Sequence, residues 1–525
     1  MSTQQIRFHA VGADEAPEHR LVTLFKDPDS NEAHLKSAVG DALATRIIDL
    51  MHDRLISGNF KEFNMLPTTD GEGWVLLLGI GAKSDLNSDD VRDDRIRSVV
   101  AIAARFFRKK SVLSFGVGDF AETGVSAERV GVLIGEGAGL GTYRYDVYKT
   151  KPNPPQTESV SIITGHPGEV IEAGASQGGD LAESVCMARN LINCPSSDLK
   201  PMDFAAIAKE IGRSHGHVEI EVLGRDDLRA ESMGMHLGVA RGSAAEPCIC
   251  VLRYCPPSAK GDRWDLGLVG KGVTFDSGGY NLKGSAGMRR MYRDMAGAGA
   301  VLGAFDAIAE RGLPIRVVAV IPLAENMVSG EAFRPGDILT ARNGTTVEIA
   351  NTDAEGRLLL GDSLDYMCDT YQPKTLVDIA TLTGGVRAAL GVLATGLIAE
   401  ASESEAADAF AERLQGLGRY TGEWVWRLPS DEAYRALLGS KAADMANCST
   451  DRSAGASTIT AALFLKHFIN FDKIDRWAHL DIAATAFTER PIVYNRSPYH
   501  PKTGATGVGV RLLTELAQSI ADERA

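Results

Sequence analysis

The chain has 525 residues, 44% hydrophobic and 24% charged, and its 55 basic against 69 acidic side chains give a net charge of −14. This mix excludes disorder, collagen and small disulfide scaffolds and leaves apolar residues for a large core. An acidic field repels phosphate backbones and anionic lipid headgroups, so neither nucleic acid nor a membrane is an expected partner.

Residues 1–165 alternate short apolar runs with helical patterns; Trp74–Leu78, Ser111–Phe115 and Val160–Thr164 read as strands on either side of a Pro-rich stretch at Lys151–Pro155. From about Gly168 to Asn193 the apolar spacing predicts a long helix, which Pro195 stops. Beyond it, Cys248–Leu252, Leu266–Val269, Val317–Ile321 and Leu376–Ala380 are apolar enough to be strands covered on both faces. The expected fold is α/β: a small N-terminal α/β domain over 1–170, a connecting helix over 171–195, and a larger catalytic α/β domain over 196–525 with a mixed sheet flanked by helices. No run is long enough to span a bilayer, and the opening residues have no signal-peptide core, so a cytoplasmic location is expected. Seven cysteines without a CxxC pair read as reduced thiols.

Two stretches concentrate chemistry. In Gly270–Gly279, which follows an apolar strand, Lys271 and Asp276 flank Val273 and Phe275, and Lys283 follows a Gly278–Gly279 turn. A helix is expected from Gly287 to Arg311, with Met288, Met291 and Met295 on one side and Asp294 close to that side. The second stretch is Asn351–Arg357; if extended, it projects Asp353, Glu355 and Arg357 to one side. Four carboxylates in one place repel unless protonated or bridged by hard divalent cations, and two ions fit Asp276, Asp294, Asp353 and Glu355 better than one. None of the 11 histidines lies in these segments and HExxH is absent, which excludes a single-zinc protease of that type.

KGVTFDSGGYNLK, MRRMYRDMAGA and above all NTDAEGRLLLGDSL resemble the metal-binding segments of the leucyl aminopeptidases, the cytosolic two-metal peptidase family. The resemblance continues through Asp378–Gly384, Trp477–Ala483 and Gly504–Gly507 and spans roughly residues 185–515, while the first 165 carry no matched motif. It implies one ion on Lys271, Asp276, Asp294 and Glu355 and a second on Asp276, Asp353 and Glu355. Lys271 would ligate as a neutral amine, its pKa depressed by the two adjacent cations. The resemblance further implies that Lys283 polarises the scissile carbonyl and that Arg357 holds a bicarbonate acting as general base. The implied cofactors are therefore two divalent ions per subunit, zinc or manganese with cobalt or magnesium also compatible, and bicarbonate. The implied partners are peptides with a free N-terminus and five further copies of the chain, in a homohexamer of two trimers. The resemblance also implies that Met291, Thr381, Leu382 and Gly384 line an apolar pocket for the first side chain, with Ala456–Ala462 completing it. Gly385-Val386-Arg387 departs from the family pattern there.

Each segment has a plainer reading. An Asp-Ala-Glu-Gly string alone is usually an exposed turn, and Lys271 alone a strand-end lysine; the ordered set of segments argues against both. His479 reads as a hydrogen-bonded structural histidine. Gly174-Ala175-Ser176-Gln177-Gly178 matches a nucleophile elbow but follows no buried strand, so it reads as helix. Gly79–Ser84 is an incomplete dinucleotide fingerprint. The enzymatic alternative is another two-metal hydrolase such as a phosphoesterase, distinguished by Lys271 as ligand. The net charge argues against a DNA-binding role.

Overall fold

Six strands of the first part of the chain build one sheet: β1 (Arg7–Val11), β2 (His19–Phe25), β3 (Phe63–Pro67), β4 (Trp74–Gly81), β5 (Val112–Gly116) and β6 (Ser159–Ile163), in the order β1-β6-β5-β2-β4-β3. All pairs are parallel except β3 with β4, and β4 is buried along its length from Val75 onward, which is why it lacks polar alternation. Helices α1 (Glu32–Val39) and α2 (Asp41–His52) cover one face. The other face carries α3 (Asp89–Phe107), α4 (Ala127–Thr142) and the first turns of α5 (Gly168–Asn193). The computed structural model describes residues 5–11, 19–69, 71, 73–116, 125–163 and 168–524; Thr164, expected at a strand end, lies outside them.

The glycines of the elbow-like motif have a packing role. A Cβ on Gly174 would stand 2.2 Å from the Glu128 carbonyl oxygen and one on Gly178 2.1 Å from that of Val132, so α5 meets α4 backbone to backbone. Gly79 and Gly81 close β4, and a short 3-10 turn at Lys83–Asn87 follows in place of the helix a dinucleotide site needs.

The chain divides into two units within α5: Met1–Cys186 with Tyr420–Gly422 and Thr488–Thr503, and Met187–Arg419 with Glu423–Phe487 and Gly504–Ala525. The return of residues 488–503 to the first unit has no sequence signal.

The second unit is built on β7 (Val218–Leu223), β8 (Cys248–Tyr254), β9 (Leu266–Gly270), β10 (Gly272–Asp276) and β11 (Val317–Asn326). It continues with β12 (Ile338–Thr340), β13 (Thr346–Glu348), β14 (Thr375–Ala380), β15 (Thr395–Ala401), β16 (Val425–Arg427), β17 (Met445–Ala446) and β18 (Arg476–Asp481). Nine of these form a mixed sheet ordered β16-β15-β18-β14-β9-β11-β8-β7, with β10 paired to β11; β12, β13 and β17 form a separate small sheet. The helices are α6 (Pro201–Ser214), α7 (Arg225–Ala230), α8 (Gly234–Ala240), α9 (Ser285–Met288), α10 (Ala296–Glu310), α11 (Gly356–Tyr366), α12 (Gly384–Leu390), α13 (Ser404–Thr421) and α14 (Ser457–Lys466). Side chains from α6, α10, α13 and the last helix, Val510–Asp522, build the core on one face of the sheet, and those from α8, α11 and α14 build it on the other. Strands β9, β10, β11, β14 and β18 run in one direction, so their carboxyl ends, where sheet enzymes place ligands, fall together.

The expected helix from Gly287 to Arg311 is instead three pieces: α9, a 3-10 turn at Met291–Arg293, and α10. The chain leaves helical geometry at Asp294 (ψ 12°) and Met295 (ψ 17°), where the Asp294 carboxylate turns inward to Lys271 and Thr381. Met295 is fully buried, whereas Met288 and Met291 are partly exposed. All seven cysteines are free thiols. Among the described residues no helix is long and apolar enough to cross a membrane.

Candidate metal centre

Lys271 sits between β9 and β10. Its backbone is pinned on both sides, the N–H donating to Ile379 O at 3.1 Å and the carbonyl accepting from Ala298 N at 2.9 Å. Its side chain is buried, with Nζ 2.9 Å from Asp294 Oδ2, 2.9 Å from Glu355 Oε1 and 3.1 Å from the Thr381 carbonyl to which it donates. Thr381 also donates its hydroxyl to Asp294 Oδ1 at 2.8 Å, so a single residue of the β14–α12 loop orients both members of the pair.

Asp276 ends β10. Its Oδ1 accepts from Gly278 N and Asn326 Nδ2, each at 2.9 Å, which leaves Oδ2 to face Lys283 Nζ at 2.7 Å. Gly278 (φ +85°) lets the chain turn back so that Lys283 also pairs with Asp353. A side chain at Gly278 would put Cβ 2.9 Å from Asp353 Oδ1, so the position needs glycine twice over.

The segment Asn351–Arg357 is not extended. It makes a turn, with Ala354 N donating to Asn351 O at 3.2 Å, and Glu355 caps α11, placing Arg357 within the helix. Asp353 and Glu355 still converge, through the turn rather than strand alternation: oxygens of Asp276, Asp353 and Glu355 lie within 4.8 Å of one another. Arg357 donates Nη1 to Asn447 O at 2.8 Å, while its buried Nε has no hydrogen-bond partner.

Burial, with the charges of Glu355 and Asp294, pushes Asp276 up to about 7, and burial with Asp276 pushes Asp353 up to about 6. Burial also raises Asp294 against the pull of Lys271, whereas at Glu355 the two lysines outweigh burial and hold the carboxyl below its usual range. Burial opposes charge on both lysines, but the surrounding carboxylates win and hold them above the usual ammonium range. When all four carboxylates are ionised, as ligands of a cation must be, they exceed the two ammonium groups by two negative charges. Glu355 Oε2 is moreover buried without a hydrogen-bond partner. Oxygen-rich, net-negative and buried, the cluster fits hard divalent cations. The protein's own charges keep Lys271 protonated, so a neutral-amine role needs the added positive charge of such ions.

Around this cluster, Met291 lies in the 3-10 turn, Thr381 and Leu382 in the loop after β14, and Gly384 at the start of α12 with open space where a Cβ would stand. Asp481 braces that loop, accepting from Leu382 N at 3.3 Å, Thr383 N at 3.4 Å and Thr383 Oγ1 at 2.6 Å. A Cβ on Gly385 would stand 2.2 Å from Ser457 Oγ at the head of α14, so a side chain there needs that hydroxyl to turn away. His479 is buried, with Nδ1 2.6 Å from Asp378 Oδ1, as a structural histidine should be.

Sequence reasoning passed over the asparagines that hold these ligands. Asn326 joins Asp276 to the Thr352 carbonyl, Asn281 and Thr352 bond each other reciprocally, and Asn447 grips the Asn351–Ala354 turn. Asn326, a polar residue ending an apolar strand, carried a usable signal; Asn447 carried none.

Residues 186–514 match the catalytic domain of the cytosol aminopeptidase family, and residues 21–152 match that family's N-terminal domain. The chain belongs to the cytosol aminopeptidase family. It is therefore a metal-dependent aminopeptidase, and the motif-free first part is the family's N-terminal domain. A probable cytosol aminopeptidase of Alkaliphilus oremlandii is 40% identical over 450 residues, covering 85% of each chain. Among solved structures, the bottromycin maturation enzyme BotP in complex with Mn is 32% identical with a TM-score of 0.81, over 96% of this chain and 100% of that one. A mutant of tomato leucine aminopeptidase is 28% identical with a TM-score of 0.82, over 98% and 97%.

Proposed function

We propose that this cytosol aminopeptidase uses two divalent ions to release leucine-like residues from the N-termini of peptides. The observation that carries the reading is the convergence of Asp276, Asp353 and Glu355 beside Lys271 and Asp294. Lys271, Asp276, Asp294 and Glu355 would hold one ion, and Asp276, Asp353 and Glu355 the other. Bound there, such ions supply Lewis acidity and make water a competent nucleophile near neutral pH. Manganese or zinc is the proposed occupant, with the manganese complex of BotP favouring the former.

The chain's own residues do the rest. Lys283, kept protonated by its carboxylate neighbours, would stabilise an oxyanion. Arg357, whose buried Nε lacks a partner, is the residue that would hold bicarbonate, a group with the chemistry of a general base. Met291, Thr381, Leu382 and Gly384 would shape an apolar site for the first side chain. The same reading carries a homohexamer of two trimers acting on peptides in the cytoplasm.

The test is hydrolysis of leucine p-nitroanilide beside its N-acetylated form, after chelation and after return of Mn²⁺, Zn²⁺ or Co²⁺. Metal-restored cleavage of the free-amine substrate alone is expected. Cleavage of the acetylated form, or metal-independent cleavage, would overturn the reading.

A further inference from the structure

Asn447 is fully buried, and its side-chain amide reaches across to the segment that carries Asp353 and Glu355. Its Oδ1 accepts from Ala350 N at 2.9 Å and Asn351 N at 3.3 Å, while its Nδ2 donates to Asn351 O at 2.7 Å and Ala354 O at 3.3 Å. Two donors face the oxygen and two acceptors face the nitrogen, so only one orientation of the amide satisfies all four groups. The main chain of Asn447 completes the arrangement, its N–H donating to Glu348 O at 2.9 Å and its carbonyl accepting from Arg357 Nη1 at 2.8 Å.

The turn it grips is weakly held from within. Besides the 3.2 Å bond from Ala354 N to Asn351 O, it has an Asp353 N–H bonded to Asn351 Oδ1 at 2.9 Å. Asn281 fixes Thr352 through two reciprocal bonds, but the carbonyls of Asn351 and Ala354, on either side of Asp353, both point at Asn447. An irregular segment whose side chains must converge within a few tenths of an ångström needs such outside bonds.

We propose that Asn447 is a positioning residue for the metal centre. Its amide sets the backbone from which Asp353 and Glu355 project, and its carbonyl aims the Arg357 guanidinium. The inference rests on the two-metal reading above. It distinguishes Asn447 from an ordinary buried asparagine such as Asn31, which caps main-chain groups of Phe25 and Asp27 in the first unit.

The experiment measures Zn²⁺ and Mn²⁺ affinity of the full-length protein by competition with a chromophoric chelator, for the wild type, Asn447→Ala and Asn31→Ala, with thermal unfolding of each. Loss of an outer partner of a metal site costs roughly 10- to 100-fold in metal affinity. Asn447→Ala is expected to weaken binding by that factor, while Asn31→Ala lowers the melting temperature and leaves affinity at the wild-type value. Should Asn447→Ala fail to fold, Asn447→Ser, which keeps one short polar group, is expected to show a smaller weakening of the same kind. Wild-type affinity in whichever Asn447 variant folds would overturn the proposal. A wild type that binds neither ion would instead overturn the two-metal reading itself.

Discussion

Gly356 lies directly against Lys271: a Cβ on Gly356 would stand 2.5 Å from Lys271 Cε and 2.6 Å from its Nζ. The glycine opens α11, where alanine would ordinarily favour the helix. What yields to a methyl group here is the end of a lysine side chain, not backbone, so the fold should survive while the amine leaves its place between Asp294 and Glu355. Gly356→Ala is therefore expected to fold, with a melting temperature lowered by the loss of the buried Lys271 pairs, and to lose at least tenfold in turnover. Wild-type kcat in that variant would show that the position of the Lys271 amine is unimportant.

Strands β4 and β9 were legible because strands buried on both faces are apolar without interruption. The break at Asp294 was not, because it is caused by a distant partner: Lys271, over twenty positions away, and Thr381, nearly ninety away, draw the carboxylate out of helical register. The turn at Asn351–Ala354 has no signal in its own residues for the same reason, since Asn281 and Asn447 shape it from outside. Ligand identities could be proposed from motif order; the asparagines that aim them became visible only through long-range hydrogen bonds.

Lys283 pairs with Asp276 and Asp353 and is partly exposed, unlike Lys271. Lys283→Met keeps the stem and removes only the charge. Its expected signature is retained metal content with turnover reduced roughly 100- to 1,000-fold, the usual cost of losing one oxyanion-stabilising donor. Loss of metal in parallel with activity would show instead that Lys283 mainly organises the ligands.

Asp353 and Glu355 both contribute oxygens to the convergent cluster, but Glu355 is fully buried and Asp353 is not. Replacing either by alanine should remove metal and activity together. The buried position should cost more in stability, because Glu355→Ala also leaves Lys271 short of a carboxylate partner in a place with little water. Full activity at normal metal content in either variant would exclude that residue as a ligand.

Away from the centre, His215 ties α6 to α10, with Nε2 2.8 Å from Asp306 Oδ1 and Nδ1 3.5 Å from Glu310 Oε2. It follows the last residue of α6, where a cation also meets the negative end of the helix. The hydrogen bond to Asp306 raises its pKa; partial burial opposes this, and the charges of Asp306 and Glu310 support it. A histidine whose folded pKa exceeds its unfolded value, near 6.5, contributes stability that is fully present below about pH 6.5. That contribution is lost as pH rises through the folded pKa. Solvent screens the pair, since Glu310 is exposed, so the contribution is about 0.5–1 kcal/mol. His215→Gln keeps a hydrogen-bonding side chain without the charge. Denaturant unfolding of the second unit, followed by its tryptophan fluorescence, should therefore show the wild type ahead of the variant at pH 6 and the gap narrowing by pH 8.5. A gap independent of pH would mean that His215 stabilises the α6–α10 contact by packing alone.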